Sequence, residues 1–123
     1  SRVPYETWIL PIDHHCAFEQ QLNAWELQLH LARFLKSVLR RLEAVAPGYH
    51  LVLHTSPNQG AKYERADLWR SLAEDYHWHF EVLPVIPSKS KSYGLKEVYY
   101  NSVPPETAAE ELRRWGMENP QQS

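Results

Sequence analysis

Six consecutive residues, His77-Trp78-His79-Phe80-Glu81-Val82, alternate polar and apolar without a break, and Pro84 follows two residues later. Side chains of a strand point alternately to its two faces. Written as a strand, this stretch puts His77, His79 and Glu81 on one face and Trp78, Phe80 and Val82 on the other. The apolar face has to be sealed by a second layer. The polar face carries two imidazoles and a carboxylate at intervals of about 7 Å, two strand steps each. Three such groups can bind a metal ion, attack a phosphate or orient one another.

A second pattern supplies the sealing layer. Between residues 24 and 45, Leu27, Leu31, Phe34, Leu35, Val38, Leu42 and Val45 recur at three- and four-residue steps, which marks an amphipathic helix packed on a sheet. Arg33, Lys36, Arg40, Arg41 and Glu43 fall mostly off that stripe and read as a solvated face, and Pro47-Gly48 ends the helix. Residues 5–10 are rich in β-formers and closed by Pro11, residues 49–54 form a second strand, residues 76–83 hold the alternating one, and residues 97–103 read as a further strand. A short helical piece is expected near residues 66–74. The last helix starts at Pro104-Pro105-Glu106, with proline near its first position and an acid in its first turn, and runs to about Trp115. The fold class is therefore α+β, an antiparallel sheet against one long helix with a C-terminal helix. One domain spans residues 1–117, and residues 118–123 form a polar tail.

Composition excludes several function classes. A chain of 123 residues that is 43% hydrophobic can bury a core without disulfides, and its single cysteine, Cys16, cannot form an internal one. A formal charge of −2 leaves no basic footprint, so neither nucleic acid nor an acidic membrane is an expected partner. No stretch approaches the roughly 20 apolar residues of a membrane span, and no secretory leader is visible, so a reducing, cytoplasmic setting is expected. The chain opens on Ser1 rather than methionine, which suggests a piece of something longer.

Two histidine groups compete as sites. His14-His15-Cys16 lies in the turn after the first strand. Adjacent residues do not readily aim at one ion and no second ligand pair stands at zinc spacing nearby, so a structural or solvated role is favoured. His54 instead ends the second strand. Antiparallel pairing with the alternating strand would bring it to the face of His77 and His79, where three imidazoles and a carboxylate suit four-coordinate zinc or iron.

Four separated stretches resemble one family in order: residues 5–10 followed by Pro11-Ile12-Asp13-His14 and Phe18-Glu19; Leu53-His54-Thr55-Ser56-Pro57; Asp75-Tyr76-His77-Trp78-His79 followed by Pro84; and Pro105-Glu106-Thr107-Ala108-Ala109-Glu110-Glu111-Leu112-Arg113. Together, over roughly residues 3–114, they resemble the C-terminal half of galactose-1-phosphate uridylyltransferases, members of the histidine-triad superfamily. The resemblance implies a histidine-triad-like sheet and a nucleotidyltransferase that passes a uridylyl group between UDP-glucose and galactose 1-phosphate, in galactose metabolism, through a uridylyl-histidine. It further implies a cytoplasmic homodimer binding a UDP-sugar and a hexose 1-phosphate.

By the same resemblance the nucleophile belongs to a His-Pro-His motif in the N-terminal half. This chain has no such motif, so the segment alone is expected not to turn over. Carried over residue by residue, the metal ligands are His54, His77 and His79, holding zinc or iron with a glutamate from the other half. Lys91 and Glu97, six residues apart, match a pair that contacts the sugar nucleotide, although Ser92 and Lys96 depart from the aromatic residues expected beside them. Two other readings stay open. One is a free-standing histidine-triad hydrolase or transferase with His79 as nucleophile; Glu81 argues against it, because such enzymes carry a third histidine there. The other is a non-catalytic, metal-stabilised module.

Overall fold

The computed structural model describes residues 3–21, 23–57, 71–86 and 101–120. In chain order the elements are β1 (Thr7–Ile9), α1 (Phe18–Gln21), α2 (Trp25–Glu43), β2 (Tyr49–His54), α3 (Leu72–Asp75), β3 (His79–Pro84) and α4 (Pro105–Glu118). The strands form an antiparallel sheet in the order β1-β3-β2, so the alternating strand is central. This is the α+β arrangement expected, with α2 as its long helix and α4 as its C-terminal one.

Alternation sets the core. Phe80 is 8% exposed and Val82 fully buried, and just before the strand Trp78 is 2% exposed; with Ile9 of β1 and Leu42 of α2 they make the central cluster. Leu31, Leu35, Val38, Leu39 and Val45 of the α2 region and Leu112 of α4 pack around it. Burying each such side chain contributes roughly 1.5–3 kcal/mol, which outweighs the weak start of α2, where Ala24 provides no side-chain cap. Phe18 adds edge-on contacts to Trp78 and Phe80 at 5.0 and 5.6 Å.

Several boundaries differ from the sequence reading, each for a local reason. Tyr5 has a φ of 60°, which extended backbone does not allow, so β1 starts only at Thr7. The Trp78 amide donates to the His15 carbonyl rather than to a neighbouring strand, so β3 starts at His79 and not at residue 76. Phe18–Gln21, read as the end of a turn, forms a short helix. On α2, Leu39 joins the buried face, whereas Leu27 and Phe34 are 43% and 57% exposed. Arg41, assigned to a solvated face, is half-buried beside α4. The helical piece near residues 66–74 falls largely outside the described residues. So does the strand at 97–103, and its described end, residues 101–103, is not a strand. Among the described residues, no helix is long and apolar enough to cross a membrane.

Candidate functional site

The register of β2 on β3 places His54 directly opposite His79 and Val52 opposite Glu81, while β1 places Trp8 opposite Glu81 on the other side. His54, His79, Glu81 and Trp8 therefore share the sheet face turned away from the core. Because β1 and β2 flank β3, Trp8 and His54 cover opposite faces of the His79 ring. Trp8 lies 4.8 Å away at 14° and His54 4.7 Å away at 19°, giving a three-ring stack.

Hydrogen bonds assign the protons. His79 Nδ1 lies 3.1 Å from the His77 carbonyl, an acceptor only, so Nδ1 carries a hydrogen; in the neutral ring Nε2 then keeps its lone pair. His54 Nε2 donates to Glu81 Oε2 at 3.1 Å, leaving Nδ1 as its basic nitrogen. His77 Nε2 donates to the Asp13 carbonyl at 3.2 Å, and its ring tilts against His14 at 5.2 Å. Glu81 is only 6% exposed, and a carboxylate at that depth requires partners; the His54 N–H is one.

The turn of residues 11–17 is built into this end of the sheet. Cys16 is buried, its carbonyl accepts from the Ser56 amide at 3.0 Å, and the His15 carbonyl accepts from Trp78 at 3.1 Å. Thr55 Oγ1 accepts from the Phe18 amide at 3.0 Å, and Trp78 Nε1 donates to Gln21 Oε1 at 2.8 Å. These bonds fix where β2 ends and β3 begins, and so hold His54 against His79.

The three expected ligands thus fall into two places. His54 and His79 meet, while His77 is turned to Asp13 and His14. Their chemistry suits zinc or iron, but their aim does not. A metal needs in-plane lone pairs converging at about 2.0–2.1 Å, whereas nearly parallel stacked rings send theirs side by side. Among the described residues, no group of three or more His, Cys, Asp or Glu is placed to hold a metal ion. As arranged, the site does not fit the ion. Lys91 and Glu97 lie outside the described residues. Asn101 is described: its side-chain oxygen accepts from the Val103 amide at 3.0 Å. Trp8 was missed as a site residue. Its alternation with buried Ile9 puts it on the outer face, but only the β1-β3 pairing, which is distant in sequence, brings that face beside His79.

The structural neighbours of the chain are galactose-1-phosphate-uridylyltransferase-like enzymes of the histidine-triad superfamily. One is an ADP-glucose phosphorylase from Arabidopsis thaliana, solved with bound ADP-glucose, at 25% identity and a TM-score of 0.67 over 92% of this chain. Another is a GALT-like protein from the same plant, at 25% identity and a TM-score of 0.68 over 92% of this chain. The chain spans 34% and 35% of their lengths, about a third of each. No protein-family model and no curated protein sequence matches it. The family resemblance read from the four sequence stretches is thus borne out by structure.

Proposed function

We propose that this chain is part of a nucleotidyltransferase acting on sugar nucleotides, contributing the stacked Trp8–His79–His54 face and its buried Glu81 to a site completed by further polypeptide. The observation that carries this reading is the cross-strand His54–His79 pair, with every ring proton assigned by a partner, in a fold similar to sugar-nucleotide enzymes. Imidazoles and aromatic faces suit a nucleotide: the rings can stack on a base, and a ring nitrogen without hydrogen accepts hydrogen bonds. The finer reading is uridylyl transfer between UDP-glucose and galactose 1-phosphate, in a homodimer, with Lys91 and Glu97 contacting the sugar nucleotide. The ADP-glucose bound by one structural neighbour makes adenylyl transfer the direct competitor. Titrating UDP-glucose and ADP-glucose while following the His54 and His79 imidazole resonances tests both, with shifts expected for the preferred nucleotide. No shift with either would overturn the proposal.

A second reading is favoured by one observation. With Nδ1–H held by the His77 carbonyl, His79 Nε2 keeps the lone pair that a nucleophile needs. In that case Nε2 would bond to the α-phosphorus, the bond to glucose 1-phosphate would break, and that group would leave with the electron pair. Glu81, which stands where such enzymes carry a third histidine, disfavours this. Intact-mass measurement after incubation with each sugar nucleotide is expected to show no adduct. A nucleotidyl group on His79 would establish the second reading instead.

A further inference from the structure

At the β1 edge of the sheet, β1, α2 and α4 enclose a cavity of about 340 Å³ that Trp8 also lines but that shares none of the histidines. Its walls are apolar where the helices meet: Val38 from α2, Ala108, Ala109 and Leu112 from α4, and Val103 just ahead of α4. Two guanidinium groups line it as well, Arg41 and Arg113. Arg41 is the unusual one. Its Nε is buried with no hydrogen-bond partner, although a guanidinium carries five donors in a rigid fork. Leaving a charged donor buried and unmet costs more than leaving a neutral one, so the arrangement is that of a group awaiting an acceptor.

The position of Arg41 is shaped by a glycine. A Cβ added to Gly116 of α4 would lie 2.6 Å from Arg41 Cζ and 2.7 Å from Nη2. The guanidinium therefore lies over the bare Cα of Gly116, a place that any side chain would take from it. Among the described residues no ion pair holds Arg41. Glu6, which also lines the cavity, accepts from Trp8 Nε1 at 3.0 Å, and Glu111 accepts from the Tyr5 hydroxyl.

We propose that this cavity binds a small organic oxyanion, a carboxylate or phosphate monoester on one apolar ring, with Arg41 as its forked anchor and Arg113 at the rim. An anionic head gives the cavity-lining guanidinium groups an acceptor, and the volume, near the lower end of small-molecule sites, admits a single ring against Val38, Ala109 and Leu112. The proposal is independent of the nucleotidyl-transfer reading.

The test is an NMR titration of the chain with phenyl phosphate and benzoate, which share a ring and differ in head. Benzyl alcohol is the neutral control and inorganic phosphate the head without a body. Saturable shifts at Ala108, Ala109 and Leu112, at least tenfold tighter for one of the aryl anions than for both controls, are expected. Gly116→Ala should weaken that binding at least tenfold by evicting the guanidinium, while its helix stays folded, since alanine is the better helix former. Arg41→Met should do the same. Equal binding of benzyl alcohol, no saturable shift, or undiminished binding in folded Gly116→Ala would each overturn the proposal.

Discussion

Glu81 is the residue on which the outer face of the sheet turns. It is buried to 6% exposure in the central strand, and its Oε2 accepts the His54 N–H. Removing the carboxylate leaves the His54 donor without that acceptor and opens a void beneath Trp8. Glu81→Ala is therefore expected to lower stability by about 2 kcal/mol. Glu81→Gln, which keeps an acceptor oxygen and the shape, should cost less than half as much. Chemical denaturation of the three proteins checks this, and equal losses in both variants would refute the hydrogen bond as the cause. The same contacts bear on metal. The family resemblance implies zinc or iron on His54, His77 and His79, and a bound ion would cross-link the strands. In this chain alone, the stack and the His77–Asp13 bond have to be given up first. Elemental analysis of the purified chain should thus find well below one equivalent of either metal. A full equivalent that is lost in His77→Ala would show that the rings do turn to meet an ion.

At the scale of elements, the link between β1 and α4 is a testable joint. The Tyr5 hydroxyl donates to Glu111 Oε2, and that bond, with burial and the carboxylate charge, pushes the phenol up to about 12. The ordinary value is about 10, so the folded state holds the proton more tightly than the unfolded one. A raised folded value means this contribution is complete below pH 10 and is lost as pH rises from 10 towards 12. The melting temperature of the wild type should fall more steeply across that window than that of Tyr5→Phe. Parallel curves would remove the hydrogen bond from the account. Much of this level was legible beforehand. Period-two alternation identified the residues that β3 buries, and the three-four repeat identified α2, because burial dictates both. The errors lay where one contact overrides a pattern: the left-handed Tyr5, the Trp78 amide drawn to His15, and Leu39 buried while Phe34 reaches past the sheet. His54 opposite His79 was legible because β2 and β3 follow each other in the chain. Trp8 was not, because β1 pairs with a strand some seventy residues away.

For the whole molecule, what matters is how much apolar surface the fold leaves uncovered. Among the described residues β2 is an edge strand, and Leu51, Val52 and Leu53 are 39%, 37% and 38% exposed although successive residues point to opposite faces. Trp8 of β1 and Val85, just past β3, add exposed apolar surface at 53% and 44%. An edge that is apolar on both faces is a template for pairing with another chain, and native proteins usually protect such edges with charge. A second copy can satisfy it, which is the homodimer proposed above. The mean mass measured by sedimentation is therefore expected to rise towards that of a dimer as concentration increases from micromolar upwards. Leu51→Lys, which charges the edge at a position opposite Val82, should hold the chain monomeric. If the wild type stays monomeric throughout, the edge is not a homodimer contact, and the further polypeptide proposed above becomes the better candidate to cover it. If Leu51→Lys instead loses its fold, the same question passes to the wild type under salt. An apolar edge contact should persist or tighten as ionic strength rises, whereas one made by charges would weaken.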